Sequence, residues 1–380
     1  MTGERNPYEG GQAPIRIGKV RRAGFAEREF DTGRERDGGP ERNNPERNNP
    51  ERNNPERNNP ERNNPERNNT VRINYVIGPR NGPPLVLVPA QTGTWQSYQR
   101  VLPALAGRFH VYAVDVRGHG KSTWTPGDYS WRTLGEDMRA FLRDVVGRPA
   151  IVAGNSSGGL VALWCAANAP DLVAAAVLED APVFSAEMPR FRDRDRYVYR
   201  GLRHAVEVLG DLRGRDLADY LRGVTKPERD GSERKVPEWV LRHLSRRIAK
   251  FQDKRPGEPV DLRFLPLAAR VMFMSLSMFD PDFARAFVDG RMYAGLDHAE
   301  ALSRVRCPLL VLHADWFRDP RHGLVGAMDD QDAARVMDLV PHARYLRVRA
   351  NHVIHFFEPA RYVRALGEFA DTIETLSAAS

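Results

Sequence analysis

The nine residues Ile151-Val152-Ala153-Gly154-Asn155-Ser156-Ser157-Gly158-Gly159 constrain this chain more than any other stretch. An apolar run of strand character passes, within a single turn, into the helix-forming stretch from Leu160 to Asn168. So sharp a turn forces Ser156 into a strained backbone conformation. The residues two before and two after it must then be small, or strand and helix collide. Gly154 and Gly158 meet that demand. The expectation is an elbow that holds the Ser156 hydroxyl above the carboxyl ends of a parallel sheet, with the Ser157 backbone N–H beside it as a donor to a developing oxyanion.

The surroundings have the pattern such an elbow needs. Strands are expected at Val71 to Ile77, Pro84 to Val88, His110 to Asp115, Ala150 to Ala153, Ala174 to Glu179, Pro308 to His313 and Ala343 to Val348. Helices are expected between and after them at Gln96 to Ala106, Thr133 to Val146, Leu160 to Ala169, Gln331 to Leu339 and Pro359 to Thr375. This alternation predicts an α/β protein with a mostly parallel, doubly wound sheet and a ligand site at the strands' carboxyl ends. It stops between about 183 and 305, where the chain is helical and rich in Arg, Leu, Met and aromatics. Residues 70–182 and 306–380 are therefore assigned to the core, and 183–305 to a helical cap folded over the serine. Within the cap, the run from Val271 to Phe279 either lines an apolar substrate pocket with Met and Phe or packs the cap onto the core.

Ahead of Val71 the composition is different in kind. Residues 41 to 65 are five perfect copies of Glu-Arg-Asn-Asn-Pro, with a sixth decaying at Thr70. With a proline in each copy and no apolar side chain, the repeat can neither bury a core nor sustain a helix. Residues 1–69 as a whole are read as a disordered extension that serves as a spacer. Its charge is nearly balanced, with 13 Arg and 1 Lys against 13 acidic residues, so the chain's net charge of +7 lies mainly elsewhere. The excess arginine around 190–215 and 242–254 is interleaved with Asp and Glu and lacks aromatic interleaving, which argues for solvated helix faces over nucleic-acid binding. Cys165 and Cys307 are too few for a disulfide framework. With no apolar leader at the start and no run of eighteen uncharged apolar residues, a cytoplasmic setting away from membranes is expected.

Four motifs in order carry a family resemblance. They are Asp115-Val116-Arg117-Gly118-His119-Gly120-Lys121-Ser122, the elbow at Ser156, Cys307-Pro308-Leu309-Leu310-Val311-Leu312-His313-Ala314, and Ala350-Asn351-His352 followed by Glu358-Pro359. From Val71 onward the chain resembles the α/β-hydrolase superfamily. The resemblance implies an α/β-hydrolase fold, a catalytic serine at Ser156, a histidine at His352 and a mobile helical cap. Position agrees, since His352 falls in the loop after the last strand, where an imidazole can act as general base to the serine. His119 and His313 read as structural, and His355 as an alternative base or a pocket residue.

Two positions depart from the family pattern. Where most relatives carry a His-Gly pair, this chain has Pro89-Ala90-Gln91-Thr92-Gly93, so the second oxyanion N–H is assigned to Gln91. The usual acid slot holds Phe317, which cannot orient an imidazole. Some relatives, among them haloalkane dehalogenases and the lactonases that open zearalenone-type macrocycles, place the acid after the strand that follows the elbow. Glu179 occupies that place and is the expected acid, with Asp315 second. The lactonases are similar also in a Val-Pro at the oxyanion loop and a Ser-Ser-Gly at the elbow.

The chemistry expected of this set is acyl transfer to Ser156 from an ester or lactone of a small, fairly apolar molecule, with no metal or organic cofactor. A serine at the elbow argues against dehalogenation, which in this fold requires an aspartate. Carbon–carbon bond hydrolysis and cofactor-free perhydrolysis use nearly the same triad, and a receptor that binds without turnover is the reading from another class. The expected partner is a small-molecule substrate, with no nucleic acid and no membrane; the oligomeric state is left open.

Overall fold

The computed structural model describes residues 17–35, 70–210 and 215–379, with side chains described to residue 373. Eight strands form one sheet in the order β1-β2-β4-β3-β5-β6-β9-β12. In chain order the strands are β1 (Ala26–Glu35), β2 (Thr70–Ile77), β3 (Pro84–Val88), β4 (His110–Val114), β5 (Ala150–Asn155), β6 (Val173–Glu179), β7 (Lys226–Pro227), β8 (Glu233–Arg234), β9 (Leu309–His313), β10 (Phe317–Asp319), β11 (Gly323–Val325) and β12 (Arg344–Arg347). From β4 to β12 the sheet is parallel; β1 and β2 are antiparallel to their neighbours. The central strands β3, β5 and β9 are buried along their whole length. Both faces are covered, which is why these strands read as continuous Val, Leu, Ile and Ala runs rather than alternating ones. One apolar core lies on each face.

β1 corrects the expectation for the N-terminal extension. Residues 17–35, expected to be unstructured with the rest of 1–69, form a short helix, Gly18–Arg22, and a ten-residue strand paired with β2. Val20 and Phe25 are buried in one core, and Phe30 packs edge-on against Phe141 at 5.9 Å. With Glu27, Arg28, Glu29 and Asp31 along it, the strand has too few apolar residues to announce itself, and its backbone pairing with β2 supplies the order. Residues 1–16 and 36–69, including the Glu-Arg-Asn-Asn-Pro copies, lie outside the described residues.

Between β6 and β9 the described residues form seven α-helices, from Arg190–Asp193 to His298–Arg304, and the small hairpin β7–β8. This segment is anchored through its apolar run. Phe279 bridges His119 in the loop after β4, the Asp280 N–H donates to the Gly118 carbonyl at 2.9 Å, and the Tyr129 hydroxyl bonds the Asp280 carboxylate. Phe273, Leu276 and Phe279 are each 1% exposed or less and belong to the core. These three side chains pack the run onto the core, and none of residues 271–279 lines the hollow that holds Ser156.

Candidate active site

Ser156 follows β5 and precedes the helix Ser157–Asn168, with φ 55° and ψ −121°. The strain is enforced by packing. A Cβ on Gly154 would lie 2.0 Å from the Gly158 carbonyl oxygen, and one on Gly158 would lie 2.3 Å from the Val88 oxygen. Only glycine fits at either place, as the sequence pattern requires. The Ser156 N–H donates to the Glu179 carbonyl at 2.9 Å, tying the elbow to the end of β6. Asn155 reinforces it: its Nδ2 donates to the carbonyls of Glu179 (3.1 Å) and His352 (3.0 Å), drawing the histidine loop toward the elbow.

His352 lines the same cleft as Ser156. Its Nδ1 lies 2.6 Å from Asp180 Oδ2, while Asp180 Oδ1 accepts the Ala314 N–H at 2.9 Å. Asp180 is 1% exposed and sits at φ 44°, in the left-handed region. The structure therefore places Asp180, and not Glu179, on His352. Glu179 points the other way: both its oxygens lie within 2.9 Å of His355 Nδ1, and one also accepts the His355 N–H. His355 stacks on Tyr98 with ring centroids 3.9 Å apart and does not line the cleft. The pair pins the short helix Ile354–Phe357 behind the His352 loop. Asp315, the second expectation, is half-exposed with its carboxylate toward Arg347. Successive residues leaving a strand face opposite sides, so a one-residue error moves a carboxylate from one histidine to the other.

With Nδ1 held by Asp180, Nε2 is the ring nitrogen left for the cleft. The His352 side chain is 42% accessible, yet the walls of the concave cleft surround it. That enclosure opposes charge on the ring. The hydrogen bond and charge of Asp180, with a further contribution from Glu179, outweigh it and hold the imidazole above its ordinary range.

The loop after β3 shapes the remaining wall. The Gln91 N–H donates to Ser157 Oγ at 2.6 Å, so the expected oxyanion donor is capped by a neighbouring hydroxyl. The Thr92 N–H, at φ 60°, donates to His119 Nε2 at 3.1 Å, and His119 Nδ1 faces the Arg117 carbonyl at 3.1 Å. His119 must be neutral to accept from Thr92. Complete burial pushes its pKa down to about 4, against the opposing pull of the Arg117 carbonyl. Asp115 serves the same loop from behind, accepting from the Trp95 N–H, the Asn74 side chain and the Lys121 N–H. Burial lifts its carboxyl to about 7 in spite of those bonds.

Ser156, His352, Gln91 and Ser157 open into a cleft of about 1500 Å³ between the loops at the sheet's edge and the helices that follow β6. Trp131, Leu160, Phe191 and Phe287 contribute apolar wall. Lys226, Glu228, Arg229, Glu233, Lys235 and Arg321, from the hairpin β7–β8, its flanks and the turn between β10 and β11, add a charged one. Among the described residues no cluster of three or more His, Cys, Asp or Glu could hold a metal ion, and no helix is long and apolar enough to cross a membrane.

A model of the alpha/beta hydrolase fold matches residues 83–255. Among curated proteins the chain is similar to the serine hydrolase-like protein of Homo sapiens, 27% identical over 133 residues, which are 34% of this chain and 66% of that one. It is also similar to the soluble epoxide hydrolase of Corynebacterium sp., 35% identical over 102 residues, 27% of this chain and 35% of that one. The matched region is thus less than two thirds of either relative's length. Among solved structures, a hydrolase from Pseudomonas aeruginosa PA01 superposes with a TM-score of 0.55 at 22% identity, covering 79% of this chain and 95% of that one. This likeness speaks to the fold.

Proposed function

Given that residues 83–255 match a model of the alpha/beta hydrolase fold, we propose that this chain is a serine hydrolase of esters or lactones in which Ser156, His352 and Asp180 form the catalytic triad. The observation that carries this reading is the 2.6 Å contact between His352 Nδ1 and Asp180 Oδ2, in a cleft that also holds the strained Ser156. In the proposed cycle, His352 Nε2 removes the hydroxyl proton as Ser156 Oγ attacks the carbonyl carbon. Asp180 keeps the proton on Nδ1 and stabilises the imidazolium. The alkoxide of the tetrahedral intermediate is received by the Ser157 N–H, at the positive end of the helix Ser157–Asn168, and by the Gln91 N–H. Since the latter is engaged by Ser157 Oγ, that hydroxyl must rotate away about its single χ1 bond as the substrate oxygen enters. Collapse expels the alcohol, which takes its proton from His352, and water then cleaves the acyl-enzyme by the same route.

The cleft suits a substrate with an apolar body against Trp131, Leu160, Phe191 and Phe287 and a more polar end reaching the hairpin β7–β8. The test is labelling by a fluorophosphonate probe, read by intact mass and peptide mapping. Labelling should map to Ser156, vanish in Ser156→Ala, and slow by a factor on the order of 10³–10⁴ in His352→Ala and Asp180→Asn. Unlabelled wild-type protein would overturn the enzyme reading and leave a cleft that binds without turnover.

A further inference from the structure

A second cavity of about 1000 Å³ lies on another side of the cap and shares no lining residue with the Ser156 cleft. Its core wall includes Trp95, Gln96 and Gln99; its cap wall includes Leu262, Val271, Met274 and Met278 from the segment that ends in the helix Leu267–Ser277 and its cap residue. Phe264 and Leu267, also lining it, are 50% and 37% exposed. Apolar side chains left open in a concave site of this size are unusual for a surface with nothing to bind.

Basic side chains outnumber acidic ones around it. Arg247, Lys250 and Lys254 lie three and four residues apart on the helix Glu238–Lys254, next to the buried stripe Leu241, Leu244 and Ile248, and all three line the cavity. Among the described residues none of the three pairs with a carboxylate; Arg247 rests its guanidinium on the Phe264 ring at 4.8 Å. The three carboxylates of the cavity are otherwise engaged: Glu27 with Lys121, Glu258 with Arg255, and Asp261 with Arg270. Three cations with no carboxylate partner among the described residues, at the edge of an apolar hollow, fit a molecule with an anionic head and an apolar tail.

We propose that this cavity is a second ligand site for a small anionic amphiphile of the fatty carboxylate class, its carboxylate on Arg247, Lys250 and Lys254 and its chain on Met274, Met278, Val271 and Leu262. The site is placed to act on the loop that carries Gln91. Thr94 Oγ1 and Ser275 Oγ are hydrogen-bonded at 3.0 Å, immediately beside the lining residues Trp95 and Met274, and Phe279, one residue past Met278, contacts His119. Occupancy therefore bears on the segments that position Thr92 and Gln91.

The experiment is calorimetric titration of the full chain with monomeric dodecanoate, and with dodecanol as the uncharged control. Dodecanoate should bind at least tenfold more tightly than dodecanol, and raising salt from 50 to 500 mM should weaken it. The double variant Lys250→Glu/Lys254→Glu, on an exposed helix face, should lose tenfold or more in affinity for dodecanoate with little change for dodecanol. Met274→Trp, which fills the floor, should weaken both. Equal binding of acid and alcohol, or dodecanoate binding untouched by all these changes, would overturn the proposal. So would sedimentation with phosphatidylglycerol vesicles by a protein that binds no monomeric dodecanoate, which would make this face a membrane-docking surface.

Discussion

At the scale of single residues, the two adjacent carboxylates at the end of β6 make opposite predictions. Asp180 touches His352 and Glu179 touches His355. Asp180→Asn should cut kcat on an activated ester by about 10³–10⁴-fold with Tm nearly unchanged. Glu179→Gln should leave kcat within about tenfold while lowering Tm, because it loosens a buried pair behind the helix Ile354–Phe357. The reverse pattern in steady-state kinetics and thermal melts would return the acid to Glu179. The pH profile of kcat/KM adds a check. A base must be neutral, and Asp180 holds His352 above its ordinary value, so activity should fall on the acid side through a pKa above about 6.5. Removal of Asp180 should move that limb to lower pH. Ser157→Ala frees the Gln91 N–H and should keep kcat within about tenfold; a hundredfold loss would give that hydroxyl a catalytic part.

At the scale of elements, the decisive case is β1. A chain beginning at residue 17 keeps Val20, Phe25 and the whole of β1, and should melt like the full chain. A chain beginning at residue 70 loses two buried apolar side chains, each worth roughly 1.5–3 kcal/mol, and uncovers the edge of β2. It should melt markedly lower or aggregate, as differential scanning fluorimetry and light scattering would show; equal melting would make β1 dispensable. The elbow is equally local in its demand. Gly154→Ala puts a methyl 2.0 Å from the Gly158 oxygen, so it should abolish activity or folding.

For the whole molecule, two histidines shape acid stability. His119 accepts from the Thr92 N–H and His298 from the Phe184 N–H at 2.8 Å, and burial holds both near a pKa of about 4. Each is depressed below its unfolded value of about 6.5. The stability from keeping them neutral is therefore fully present above pH 6.5 and is lost as pH falls toward 4, on the order of 3 kcal/mol per residue. Urea melts between pH 7 and 4.5 should show this decline. In His119→Gln, whose side-chain oxygen can still accept from Thr92, the decline should be shallower by one proton's worth, about 1.4 kcal/mol per pH unit at most. An unchanged slope would assign the acid sensitivity elsewhere.

What the sequence determined by itself was whatever local sterics and periodicity dictate. The glycines at 154 and 158, the seven core strands after Val71, and the placing of Ser156 and His352 on loops at one edge of the sheet all follow from the backbone's small repertoire and the burial of apolar faces. The tertiary structure decided what depends on which way a side chain faces across two or more elements. Asp180 and Glu179 share one short segment, and only the positions of His352 and His355, 172 and 176 residues away, tell them apart. The same holds for β1, ordered by pairing rather than by its own composition, and for residues 271–279, whose Met and Phe fit equally well in a pocket wall or a core until the helix Leu267–Ser277 is docked. The hydroxyl that caps Gln91 is decided last of all, by a contact across 66 residues that no periodicity records.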